Sequence, residues 1–189
     1  QIIIFEMYIL KLKNLEKRYS NKQIKNAEKL FKLMKANDIK NLKLAVMGGL
    51  PASETKYSVS EFKEMLSAYK EMDNIDIKQN LREFIKEIMP VAEEHNVKMG
   101  IHPDDPPIPL FGVPRIVSTM DDSQYIFDSY DSPCNGMTFC AGSLASNFYN
   151  DVYKIFNKFK KRINFIHLRN VKKEKDRKSF YESNHLNGD

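Results

Sequence analysis

Two cysteines, Cys134 and Cys140, are all that the 189 residues contain. That is too few for a disulfide framework, and the default reading is a reducing compartment, the cytoplasm. No apolar run approaches the roughly 18 residues of a membrane span. The opening residues lack the charged, apolar, small-residue succession of a secretory signal. Only 7 glycines and 8 prolines exclude collagen-like and low-complexity classes. No Gly-x-Gly-x-x-Gly follows a candidate strand and no Gly-x-x-x-x-Gly-Lys loop occurs, so nucleotide-binding folds lack local support. No segment repeats at a fixed period.

What is present suits a globular domain or a large piece of one. Hydrophobic residues make up 42% and aromatics 11%, enough to offset ordering entropy and exclude a disordered chain. Lys and Arg number 30 against 25 Asp and Glu, giving a net charge of +5. The signs are interspersed, which describes a solvated surface rather than a nucleic-acid stripe with interleaved aromatics. Neither nucleic acid nor membrane is expected as a partner, and a homo-oligomer is left open.

The periodicity predicts helices first. Ile24, Ala27, Leu30, Phe31 and Met34 recur at helical spacing behind a candidate N-cap, Ser20. Ser60 opens a second helix, with Phe62, Met65, Leu66 and Tyr69 on one face. The longest runs from Ile77 to His95, striped by Leu81, Phe84, Ile85, Ile88, Val91 and Ala92, with Pro90 inside it and His95 as its cap. Ile2 to Phe5 reads as a buried strand. Leu42 to Met47 reads as either a strand or a helix end.

Beyond Val97 the period changes. Strands are expected at Val97–His102, Gly136–Cys140 and Ile163–His167, with helices at Asp121–Tyr130 and Asp151–Lys161. A proline-rich loop, 103–114, follows the first strand. Strand–loop–helix alternation is the βαβ signature of a parallel sheet. Residues past His167 read as basic and polar, with Lys172–Lys178 a solvated run. The start at Gln1 and the abrupt stop at Asp189 suggest a piece of a longer chain.

His102, Cys140 and His167 each end a strand, at intervals near the roughly 30 residues of a barrel βα unit. In parallel α/β folds ligands bind at the carboxyl ends of strands, so the three side chains can meet. Imidazole and thiolate both suit a divalent transition ion, zinc or iron on donor type alone. Cys134 lies in a loop before its strand and reads as structural. Pro103, Pro106, Pro107 and Pro109 stiffen a loop that carries Asp104 and Asp105, suggesting a site wall.

Several blocks resemble one family. They include Phe5-Glu6-Met7-Tyr8-Ile9-Leu10-Lys11, Gly49-Leu50-Pro51 and Val91-Ala92-Glu93-Glu94. The most specific is Lys98-Met99-Gly100-Ile101-His102-Pro103-Asp104-Asp105-Pro106-Pro107, continuing to Phe111-Gly112-Val113-Pro114-Arg115-Ile116-Val117. Asp131-Ser132-Pro133, Asn135-Gly136, Cys140-Ala141-Gly142-Ser143, His167-Leu168-Arg169-Asn170-Val171, Ser179-Phe180-Tyr181-Glu182 and His185-Leu186-Asn187-Gly188-Asp189 complete the set. The chain resembles mannonate dehydratase along essentially its whole length.

The resemblance implies a single domain, residues 1–189, forming part of a (β/α)8 TIM barrel of xylose-isomerase type, incomplete at both ends. It implies dehydration of D-mannonate to 2-keto-3-deoxy-D-gluconate in glucuronate catabolism, with Fe2+ or Mn2+ held by His102, Cys140 and His167. Arg169, Asp104 and Asp105 are the candidate substrate-binding residues, Arg169 by gripping a carboxylate bidentately. The family's fourth ligand and its acid–base residues are expected beyond Asp189, so a chain ending there is expected to be inactive alone. The family's Phe-His-Glu run stands here as Phe180-Tyr181-Glu182, a departure that leaves the role of that histidine unfilled. Two other readings stay open: a metal-dependent sugar isomerase or epimerase barrel, and a non-catalytic basic binding module.

Overall fold

A computed structural model describes residues 1–48, 57–175 and 179–188. The Gly49-Leu50-Pro51 block, the 176–178 part of the basic run and Asp189 lie outside the described residues. The chain divides into two compact units, Gln1–Glu71 and Met72–Asp189.

The first unit is helical among its described residues. It comprises α1 (Ile2–Ile4), running into a π-helix (Phe5–Ile9), then a 3-10 turn (Leu15–Lys17), α2 (Asn21–Leu33), α3 (Ala36–Met47) and α4 (Val59–Ser67). The strand expected at Ile2–Phe5 is therefore helix. Ile4 and Phe5 are fully buried, as expected, but a short apolar run fits a buried helix as well as a strand, and packing decides. Leu42–Met47 resolves as a helix end. Ser20 caps α2 through a capping box with Gln23, whose amide nitrogen donates to the Ser20 hydroxyl. Tyr8 stacks on Phe31 at 3.7 Å, and Phe5 meets Phe62 edge-on. Beneath this lies a buried carboxylate, Glu6, which accepts from Arg18 at 2.5 Å and from the Tyr19 hydroxyl at 3.0 Å.

The second unit is α/β. Its elements are α5 (Asn74–Glu94), β1 (Met99–Ile101), α6 (Met120–Ser129), β2 (Asn135–Cys140), α7 (Ala141–Ser146), α8 (Val152–Phe159), a 3-10 turn (Lys160–Arg162), β3 (Ile163–His167), β4 (Asn170–Lys173) and β5 (Phe180–Ser183). β1, β2 and β3 form a parallel sheet in that order, each pair joined by a helical crossover. β2 is central and buried along its whole length, as a parallel strand covered on both faces must be. Ile85, Met89 and Ala92 of α5, Ile126 and Phe127 of α6, and Ile155 and Phe159 of α8 pack with Met137 and Phe139 of β2 in one core. Phe84 and Val91, expected on the buried stripe of α5, are exposed, because the covered face turns toward Met89 instead. Pro90 sits inside α5 and His95 caps it. The antiparallel pair β4 and β5 was not foreseen; polar side chains hid it.

Candidate metal centre

The three expected donors sit at the carboxyl edge of the parallel sheet. His102 follows β1 directly, Cys140 is the last residue of β2 and His167 the last of β3. Their alignment depends on an irregularity. Met137 pairs with Ile163, but Thr138 pairs with Phe165, so Asn164 is an extra residue in β3. Without that bulge Ile166 would stand opposite Cys140. With it, His167 does. The Asn164 side chain is held down by the Met99 carbonyl at 2.7 Å, through space that only a glycine at 136 leaves open. A Cβ on Gly136 would stand 2.3 Å from Asn164 Nδ2 and 2.5 Å from the Arg162 carbonyl.

One ligand atom from each of His102, Cys140 and His167 lies within 4.8 Å of the others. Bonds of about 2.0–2.3 Å set tetrahedral donors about 3.5 Å apart, so side-chain shifts of order an ångström would close the triad on one ion. Cys140 is wholly buried, whereas both imidazoles are exposed. His102 Nδ1 lies 2.7 Å from the Pro103 carbonyl. A carbonyl can only accept, so Nδ1 carries the proton and Nε2 keeps its lone pair for a metal, the arrangement usual for a ligating histidine. Two imidazoles and a cysteine sulfur are a donor set that fits a divalent transition ion.

The neighbouring acids divide. Asp104 clasps its own loop: its Oδ2 accepts from the Val117 amide at 2.7 Å and the Ser118 hydroxyl at 3.0 Å. Asp105 Oδ2 accepts from Arg169 Nη1, and Ser143 Oγ lies 3.4 Å from the same oxygen. Arg169 Nη1 also donates to Ser143 Oγ at 3.1 Å, and Ser143 Oγ donates to Cys140 Sγ at 3.2 Å. Glu182 Oε1 pairs with Arg169 Nε at 2.6 Å, bent too far for a hydrogen bond. Burial works against the Arg169 charge, but Asp105, then Glu182 and Cys140, outweigh it and raise its pKa. Gly142 admits the arginine: a Cβ there would meet Arg169 Cγ at 2.9 Å.

His102, Cys140, His167, Asp105 and Arg169, all named from the sequence, thus lie close together, with Asp104 in the adjoining loop; Ser143, Asn164 and Glu182 are further members that the sequence did not single out. Ser143 stands three residues after Cys140, a spacing that brings it back over the strand end in the first turn of α7. Nothing in the local sequence signals Asn164 or Glu182; their partners are distant in the chain.

Residues 9–189 match the family described as D-mannonate dehydratase (UxuA). A mannonate dehydratase of Marinomonas sp. (strain MWYL1) is 39% identical over 98% of this chain and 47% of its own length. That of Saccharophagus degradans is 40% identical over 98% of this chain and 46% of its own. The crystal structure of mannonate dehydratase from Streptococcus suis serotype2 superposes with a TM-score of 0.63 at 42% identity, over 67% of this chain and 37% of that one. The chain spans about half the length of the curated relatives it matches. With its match running from residue 9 to the last residue, this chain belongs to the D-mannonate dehydratase family.

Proposed function

We propose that this chain carries the metal-holding part of a mannonate dehydratase, which removes water from D-mannonate to give 2-keto-3-deoxy-D-gluconate. The observation that carries the reading is the approach of the His102, Cys140 and His167 donor atoms to within 4.8 Å. A thiolate in place of a carboxylate favours this reading over a sugar isomerase or epimerase barrel. Fe2+ or Mn2+ is the proposed ion, and the thiolate weighs toward Fe2+. β1, β2 and β3 are read as consecutive strands of a (β/α)8 barrel. The parallel order and helical crossovers support this, as do Phe165 and Ile166, apolar and exposed along β3.

The C2 proton of an aldonate is weakly acidic, and the C3 hydroxyl is a poor leaving group. A base must take the first and an acid must protonate the second. Neither proton transfer is assigned to a residue of this chain. The chemistry supplied by a divalent ion is Lewis acidity toward charge developing on the substrate carboxylate. His102, Cys140 and His167 would hold it through one sulfur and two imidazole nitrogens. Asp105 and Arg169 form the adjoining rim, where a sugar hydroxyl and the substrate carboxylate would find an acceptor and a cation. Asp104 acts one step back, fixing the loop that carries Asp105. No described helix is long and apolar enough to cross a membrane, and both cysteines are free thiols, in keeping with a cytoplasmic enzyme of glucuronate breakdown.

The test is metal analysis after anaerobic loading, joined to D-mannonate turnover in the protein as its gene encodes it. One Mn2+ or Fe2+ per chain is expected, with His102→Ala and His167→Ala each losing metal and turnover together. Turnover that persists in a chelator-stripped protein would overturn the reading.

A further inference from the structure

We propose that Ser143 is the positioning residue for the sulfur ligand: its hydroxyl donates to Cys140 Sγ, and Arg169 holds the hydroxyl in that direction. The inference rests on the metal reading above and extends it to residues outside the ligand set.

A serine hydroxyl has one proton to give and two lone pairs to receive. Three groups compete around Ser143 Oγ: Cys140 Sγ at 3.2 Å, Asp105 Oδ2 at 3.4 Å and Arg169 Nη1 at 3.1 Å. Arg169 can only donate, so it occupies a lone pair of the hydroxyl. The same nitrogen donates to Asp105 Oδ2, so that oxygen already has a charged donor and does not depend on the serine proton. The single proton is thereby left for the sulfur. A distance of 3.2 Å is short for a bond to the large sulfur atom, whereas 3.4 Å is long for one to a carboxylate oxygen. Ser143 and Cys140 are both fully buried, so neither can turn to water for a substitute. Among the described residues, Ser143 Oγ is the one hydrogen-bond donor to this sulfur.

The consequence is specific to a metal thiolate. A hydrogen bond to the sulfur fixes its rotamer and draws charge from its lone pairs, which tunes the bond to a metal. Outer-shell contacts of this kind commonly carry about 10–100-fold in metal affinity. A merely structural Ser143 is the competing account, since its carbonyl also accepts from Ser146 Oγ at 2.8 Å within α7.

Co2+ loaded anaerobically into the full chain distinguishes the two. The unsubstituted protein should show thiolate-to-cobalt absorption, and Cys140→Ser should abolish it. Ser143→Ala should keep the band, move it to lower energy, and weaken Co2+ about 10–100-fold in chelator competition. Ser143→Thr, which retains the hydroxyl, should restore both. In D2O the metal–sulfur stretch, read by resonance Raman, should move in the unsubstituted protein and stay fixed in Ser143→Ala. A band unshifted in Ser143→Ala places the proton on Asp105 and overturns the proposal. Should Ser143→Ala not fold, the D2O experiment on the unsubstituted protein decides, and an unmoved stretch overturns it equally. If the unsubstituted chain binds Co2+ without thiolate absorption, the ligand set itself is wrong. That failure is distinguishable from loss of the Ser143 contact alone.

Discussion

Cys140 and His167 are register partners across the β2–β3 ladder, brought opposite each other by one extra residue, Asn164, in β3. Paired residues of adjacent parallel strands point to the same side of the sheet. The two donors are therefore set by backbone pairing rather than by loop conformation. Such a site is more rigid than one built on loops alone.

The first prediction separates the two cysteines. Cys140→Ser should lower metal affinity by more than the about 100-fold upper range of outer-shell substitutions, because it removes a ligand outright. Cys134→Ser should leave affinity nearly unchanged, since Cys134 is buried outside the triad. Equal losses in a side-by-side chelator titration would remove Cys140 from the ligand set.

The second concerns the bulge. Gly136→Ala puts a methyl group 2.3 Å from Asn164 Nδ2 and 2.5 Å from a backbone oxygen that cannot move freely. Overpacking of this kind costs about 1–3 kcal/mol. Metal affinity should fall with stability, because displacing Asn164 disturbs the register that places His167. A destabilised variant with unaltered metal affinity would uncouple the bulge from the site.

These two cases mark what was legible in the sequence. The positions of Cys140 and His167 could be read because strands end where apolar alternation stops, and a βα repeat spaces those ends evenly. The bulge could not, since Asn164 sits inside an otherwise ordinary strand and its partners, Met99 and Pro133, lie far away in the chain. The helix start at Ser20 was readable from capping chemistry that acts within three residues. Ile2–Phe5 was misread because burial, which was correctly expected, does not distinguish a strand from a helix in so short a run. Arg169 was readable as a cation near the site. Its engagement by Asp105, Ser143 and Glu182 depends on a loop, a helix and a strand meeting, which no local pattern encodes.

The third prediction tests the proline-rich loop. Asp104→Ala leaves the Val117 amide and the Ser118 hydroxyl without their carboxylate acceptor. Stranding such donors costs about 1–3 kcal/mol. Hydrogen exchange at the Val117 amide should accelerate more than at amides of β2. Unchanged protection at Val117 would mean that Asp104 does not hold the loop.

The last prediction lies in the helical unit, far in sequence from the donors. Arg18→Ala removes a 2.5 Å ion-pair partner from Glu6, which is fully buried, while the arginine side chain is 31% exposed. Removing one partner of a buried pair costs about 3–5 kcal/mol, and the exposure of Arg18 brings the expectation to about 2 kcal/mol. Tyr19 adds a pH dependence. Burial raises its pKa most, followed by the charge of Glu6 and the hydrogen bond to it. The folded state therefore favours the neutral phenol. Its contribution is complete below the ordinary tyrosine value of about 10 and is lost as pH rises from there toward the folded value. Thermal unfolding followed at neutral and strongly alkaline pH should show this loss. Tyr19→Phe, with no phenol to ionise, should be less stable at neutral pH and lose less on going alkaline. Equal alkaline losses in the two proteins would exclude Tyr19 as the group responsible.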